Sequence, residues 1–409
     1  MNLIDYLNKA VSPYHVVASL EEELKSKGYK PASISQIKVL DEGKYFINIF
    51  DTSLVAFELK AGAKGIHMAS AHTDYPCFKL KPEPKMAAAG NCQRVNVEPY
   101  GGMLKRTWFD RPLGMAGVVY SKGEDAMHPI KAMVNVRKPL FIIPGLAPHM
   151  DREIEKGDIN VQKEIVPIYA LGEESEIISV IADAASCKAE DILSFDLDLN
   201  FCQEPVLAGA NGEFIMAQGI DNIASVAAIT NAILEEKDRD YISIACYFNN
   251  EEIGSSTKQG ADSGVLSMIF DELKKNPLCE TIRNDNCFFI SADGAHALHP
   301  NYPEKADPTS KVLLGKGLVV KTSASQRYAT DAKMTAIIKG MCHENGIDMQ
   351  VQANKSGAPG GSTLGPIISS YVPMLAADMG IPMLAMHSSY ETAACADYEA
   401  FERFMKLFL

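Results

Sequence analysis

The chain has no long apolar run. None reaches the ~18 residues that a membrane-spanning helix needs, and its first ten residues, Met1 to Ala10, carry an early acid and no apolar stretch of the leader-peptide kind. These absences predict a protein that is neither secreted nor embedded in a bilayer. Paired cysteines are missing as well: the nine present (77, 92, 187, 202, 246, 279, 287, 342 and 395) are odd in number, scattered singly and free of C-x-x-C spacing. Several sit inside apolar runs, which predicts reduced, buried thiols in a cytoplasmic protein. No Lys/Arg-rich run offsets the net charge of -13, so neither nucleic acid nor an anionic membrane surface is expected as the main partner. No internal repeat or low-complexity tract is visible. What remains is an ordinary globular composition, 409 residues of which 47% are apolar, enough for one large domain or two.

Periodicity divides the chain. Residues 1 to about 30 read as helical, with Leu3, Tyr6 and Leu7 and then Val16, Val17, Leu20 and Leu24 at three- and four-residue spacing. Two short strands (44–50 and 53–59) precede a mostly apolar run, 65–71, that ends in His72-Thr73-Asp74. From about Pro82 to Gly212 short alternating runs and glycine turns indicate a β-rich region. Strand-then-polar patterns flank it on both sides, which predicts one α/β domain, 1–83 and 213–409, interrupted by a β-rich insertion, 84–212. The α/β pattern resumes at Phe214–Ala217 and continues through a helix after Asp221, an apolar strand 242–248, a helix near 266–275, a strand 287–290, a run 318–321, a helix around 331–345 and a last strand-like run, 382–386.

The run 242–248 delivers two adjacent acids, Glu251 and Glu252, into a Gly-Ser turn, and four other positions repeat the theme. His72, Asp221, Asp293 and His387 each follow an apolar run or open a helix. Taken singly these are weak signals, since Asp221 alone is simply a helix cap and a lone histidine usually satisfies its neighbours. Together they coincide with the crevice of an open α/β sheet, where residues just past the carboxyl ends of strands converge. Two imidazoles and three carboxylates, with no thiolate, suit zinc, cobalt or manganese. With one carboxylate shared, the count provides for two ions with room for water, a pair able to acidify the water and polarise a carbonyl at once. Glu251, not needed as a ligand, is then the natural general base.

The stretches 70–76, 219–222, 249–255, 291–302 and 386–388 resemble the M18 metallo-aminopeptidases, the aspartyl aminopeptidase family. Ser12-Pro13-Tyr14-His15, Glu98–Gly102, Thr107–Arg111 and Gly360–Gly365 are similar too, so the likeness spans nearly the whole chain. It implies an α/β catalytic domain of the phosphorylase/hydrolase-like kind, an inserted assembly domain, a large homo-oligomer (a dodecamer in the family), and hydrolysis of the N-terminal residue of peptides. It also implies that His72, Asp221 and Asp293 hold one metal while Asp221, Glu252 and His387 hold the other. Asp221 would bridge, Glu251 would carry the proton, and Asp74 would orient His72. Lys321 and, from a neighbouring subunit, His149 are the implied contacts to an acidic N-terminal side chain. The sequence departs from the family at Gly357, where an Asp is usual. Two other readings stay open: a related binuclear peptidase of neutral specificity, and a non-catalytic metal-binding assembly subunit.

Overall fold

A computed structural model describes residues 1–151, 158–172, 175–358 and 360–409. Pro359, in the glycine-rich turn that follows Ser356, lies outside the described residues. Among the described residues the fold is mixed α/β with three sheets, and the chain divides into two compact units. The first comprises Met1–Asp74, Pro205–Met386 and Glu391–Leu409; the second comprises Tyr75–Glu204 and His387–Tyr390.

In the first unit nine strands form one sheet, in the order Lys30–Pro31, Gly43–Ile49, Ser53–Leu59, Ile242–Phe248, Ile66–His72, Cys287–Ala292, Leu375–Gly380, Leu318–Thr322 and Met349–Ala353. Four neighbours in the middle, from Ile242–Phe248 to Leu375–Gly380, run parallel. Every residue of Ile242–Phe248 is buried, as a parallel strand covered on both faces requires. Each fully buried Ile or Phe there contributes about 2–3 kcal/mol of burial. The helix Ile220–Ile233 packs against Ile66–His72, and also against the helices Leu3–Lys9 and Cys395–Phe408. It is buried nearly all round, which explains why its apolar residues are not confined to one stripe.

A second, five-stranded sheet of this unit is built from Val206–Ala208, Phe214–Ala217, Glu391–Ala394, Pro382–Leu384 and Ala295–His296. The run expected as a final strand over 382–386 is therefore shorter and lies outside the large sheet. Ala385 at φ +56° and His387 at φ +65° are left-handed and break the extended path.

Among the described residues of the second unit six strands form an antiparallel sheet, in the order Ile130–Phe141, Leu113–Ser121, Ile192–Phe201, Cys77–Ala89, Cys92–Tyr100 and Ile168–Leu171. Its core centres on Trp108, edge-on to Phe78 at 5.2 Å between ring centres, with Ile177 and Ile181 of the helix Ile177–Ala185. The bounds expected at 84 and 212 fall instead at Tyr75 and Glu204. The reason is strand pairing: Cys77 already pairs with Tyr100 in this sheet, whereas Val206–Ala208 pairs with Phe214–Ala217 in the first unit.

Candidate metal centre

Three adjacent parallel strands end side by side in the first unit, and their carboxyl ends carry the predicted residues. In register, Phe248 lies opposite His72, and Ser291 lies opposite Ser70. His72 is therefore the last residue of its strand, Glu251 and Glu252 come just after the end of Ile242–Phe248, and Asp293 comes just after Cys287–Ala292. Asp221 arrives from the start of the helix Ile220–Ile233. His72 Nε2 stands 3.5 Å from Asp221 Oδ1 and 3.9 Å from Asp293 Oδ2. One ligand atom from each of His72, Glu251 and Glu252 lies within 4.8 Å of the others.

Asp221 is not the helix cap that the sequence suggested. The cap position falls at Gly219, and Asp221 has non-helical dihedrals (φ -80°, ψ 101°). Its backbone amide donates to the buried carboxylate of Glu391 at 2.9 Å. The next side chain, Asn222, donates to the Ala292 carbonyl at 2.7 Å, tying the start of the helix to the strand that leads into Asp293.

The acidic turn is fixed by polar side chains. Asn250 adopts φ +64°, a left-handed conformation that Asn tolerates better than most residues. Its Oδ1 accepts from Thr257 Oγ1 (2.9 Å) and Gln259 Nε2 (2.8 Å), and the Asn249 amide donates to Ser53 Oγ at 2.8 Å. Asp74, fully buried, then takes both acidic residues by the backbone: Glu251 N donates to its Oδ1 and Glu252 N to its Oδ2, each at 3.2 Å. The same residue meets His72, whose Nδ1 is 3.0 Å from the Asp74 carbonyl and 3.4 Å from its carboxylate. These contacts require His72 to present Nε2 toward Asp221 and Asp293.

The electrostatics follow from crowding. Burial opposes charge on His72, but the Asp221 and Asp74 carboxylates outweigh it and hold the imidazole well above its ordinary pKa. Burial pushes the Glu251 carboxyl up to about 8; His72 opposes this, while Asp293, Asp74 and Asp221 reinforce it. Glu252 is raised well above the usual carboxylate range by burial and then by Asp221. So many acids around one imidazole form an under-neutralised nest, and nitrogen and carboxylate donors without thiolate fit a borderline divalent cation.

Lys321 is buried, its Nζ 2.8 Å from Asp293 Oδ1 and 2.9 Å from the Gly294 carbonyl. Burial disfavours its charge, yet Asp293 more than compensates and raises the ammonium pKa. His387 belongs to the segment grouped with the second unit, where its Nδ1 is 2.9 Å from the Gly102 carbonyl and its own carbonyl accepts from Leu104 N at 2.9 Å. His149, also in the second unit, is exposed. Sequence reasoning missed Glu391, Asn249 and Asn250. The asparagines stood in the quoted motif without an assigned role, and nothing in spacing marked Glu391, which enters through pairing of its strand with Phe214–Ala217.

Residues 6–409 match the family model of the aminopeptidase I zinc metalloproteases, M18. A probable M18 family aminopeptidase 2 of Clostridium acetobutylicum is 36% identical, over 99% of this chain and 98% of its own length. The aspartyl aminopeptidase of Dictyostelium discoideum is 33% identical, over 99% of this chain and 96% of its own. A chain in the cryo-EM structure of the Ape4 and Nbr1 complex superposes with a TM-score of 0.92 at 30% identity, covering 99% of this chain and 84% of that one. The mApe1 dodecamer of Saccharomyces cerevisiae gives 0.83 at 25% identity, covering 99% and 94%. The site and these likenesses define a metallo-aminopeptidase. The chain belongs to the M18 family of zinc metalloproteases.

Proposed function

We propose that this enzyme is a binuclear aminopeptidase that removes acidic residues, Asp or Glu, from the N-termini of peptides. The observation that carries the reading is the convergence of His72, Asp221, Glu252 and Asp293 at the ends of adjacent parallel strands, with Glu251 beside them. His72, Asp221 and Asp293 are assigned to one ion and Asp221, Glu252 and His387 to the other, with zinc the first choice and cobalt or manganese able to replace it. Support for His387 comes from sequence: it stands in the stretch 386–388, one of those that resemble the family's metal-site motifs.

When bound, such ions acidify a water molecule and polarise the scissile carbonyl. Glu251 accepts the proton of the attacking water and delivers it to the departing amine, acting as general base and then general acid. Asp74 acts through others, holding the backbone of Glu251 and Glu252 and the ring of His72. Lys321 supplies positive charge beside Asp293, and His149 of a neighbouring subunit is the second contact assigned to an acidic substrate side chain.

The catalytic part is read as a phosphorylase/hydrolase-like α/β domain, and the β-rich part as an inserted oligomerisation domain of a dodecameric, cytoplasmic enzyme. Among the described residues no helix is long and apolar enough to cross a membrane, and one structural neighbour is named as a dodecamer. The acidic preference draws on the names of the aspartyl aminopeptidase relatives.

The test is metal analysis followed by chelation, add-back of zinc, cobalt or manganese, and turnover of a panel of aminoacyl-arylamides. Two ions per subunit and preference for Asp and Glu are expected. Equal turnover of neutral residues would establish the neutral-specificity reading. An intact metal complement without turnover would establish the assembly-subunit reading.

A further inference from the structure

A groove of about 290 Å³ opens on the first unit, bordered by His296, His299, Lys305, Ser310, Gln352 and Lys355. One wall starts at His296, three residues past Asp293. Its floor is the edge strand Met349–Ala353, in which Gln352 lies directly opposite Lys321 of the neighbouring parallel strand. Paired residues of adjacent strands share a sheet face about 4.8 Å apart, so the Gln352 side chain is one strand further from the acidic cluster than the lysine bonded to Asp293.

Gln352 is 6% exposed, yet its Oε1 is fully buried without a hydrogen-bond partner. A buried amide group left unmet costs about 1–3 kcal/mol, a cost that a ligand in the groove would remove. Turning the carboxamide over places an N–H at the same spot. The surrounding charge is mainly positive. Lys305 and Lys355 are exposed, and Lys355 Nζ donates to the neutral carbonyl of Glu304 at 2.7 Å. Against these two lysines stands one carboxylate on the wall, Asp307, whose Oδ1 accepts from Thr309 N, Thr309 Oγ1 and Ser310 N, each at 2.9 Å. Ser310 Oγ in turn donates to the Val351 carbonyl (2.7 Å) and accepts from Ala353 N (2.8 Å), bracing the strand that carries Gln352.

We propose that this groove binds the side-chain carboxylate of the substrate's N-terminal residue, with Gln352 as hydrogen-bond donor and Lys355 and Lys305 as the facing cations. The proposal rests on the acid-selective reading above and extends it to residues beyond Lys321. Its closeness to Asp293 assigns it to the residue whose bond is cleaved rather than to residues further along the peptide.

The experiment measures kcat/KM of the metal-loaded enzyme for Asp- and Leu-arylamides, and for peptides with Asp at the first or second position. In Gln352→Leu the Asp-to-Leu ratio should fall at least ~10-fold, the effect of losing a hydrogen bond to a charged group. Lys355→Met, a change on an exposed side chain, should lower it in the same direction. A wild-type ratio in both variants overturns the proposal, and so does a loss confined to Asp at the second position. Equilibrium binding of an Asp-Leu dipeptide separates the groove from the reading beneath it. If the wild-type enzyme turns over acidic and neutral arylamides alike, the acid-selective reading fails, while weaker dipeptide binding by Gln352→Leu still supports the groove and equal binding overturns it.

Discussion

Replacing Asp74 by Asn isolates the part this buried acid plays in holding the site. The change preserves shape but converts one carboxylate oxygen to an NH2 group. Because Glu251 N and Glu252 N each use a different oxygen of Asp74, one amide must then face a donor instead of an acceptor. Losing a charge-assisted bond of this kind costs about 1.5–3 kcal/mol. An opposing effect acts in the metal-free protein, where Asp74 also repels its neighbours and helps to raise the Glu251 carboxyl; removing its charge relieves repulsion of similar order. The two effects offset each other until cations bind, after which only the loss remains. Groups that orient metal ligands are typically worth ~10–100-fold in metal affinity, equivalent to about 1.4–2.7 kcal/mol less stabilisation at saturating zinc. Thermal unfolding of wild type and Asp74→Asn, each with and without zinc, measures this directly. The metal-free midpoints should nearly coincide, while the zinc-induced rise should shrink in the variant, together with a matching rise in Kd by chelator competition. An undiminished zinc-induced rise would refute the assignment of Asp74 as the group that positions His72 and the acidic turn.

Glu251→Gln should abolish turnover while retaining the zinc stoichiometry of wild type, because the amide keeps the shape but cannot carry a proton; elemental analysis beside activity measures both, and surviving turnover would remove Glu251 from the mechanism. Metal-free protein should lose stability as pH rises. The Glu251 pKa is raised from 4.5 to about 8 in the fold, so its protonated form is the favoured one, and its contribution is complete below pH 4.5 and gone above about 8. The midpoint should therefore fall more steeply across that window in wild type than in Glu251→Gln, and equal slopes would contradict the burial argument. Lys321→Met leaves Asp293 without its buried cation and should destabilise metal-free protein by about 3 kcal/mol, the lower end for breaking a buried pair since Asp293 is partly exposed; a loss below ~1 kcal/mol in urea unfolding would show that pairing to be weak.

The acid pair was legible because a seven-residue apolar run with β-branched and aromatic residues has few alternatives to a buried strand, and the residues next in the chain must emerge at that strand's end. The same logic located His72 and Asp293, since parallel strands all deliver their carboxyl ends to one side. It worked less well for Asp221, whose position before a helix suggested a cap. Its amide is instead held by Glu391, a residue 170 positions away that no local pattern connects to it. The last apolar run misled for a related reason. Its residues are suited to a strand, but the left-handed turn at Ala385 and His387 divides it and places Pro382–Leu384 in the smaller sheet.

By itself, the amino-acid sequence determined which residue types could meet: histidines and acids placed after apolar runs, in an order characteristic of one enzyme family. Periodicity and strand-end position are local properties, readable within a dozen residues. Tertiary structure alone decided that Asp74 grips the backbone of two successive glutamates, that Lys321 is bonded to Asp293, and that Gln352 lies buried beside it. Each of these depends on strand register and on contacts between segments far apart in the chain, where a shift of one residue would turn the side chain to the opposite face of the sheet.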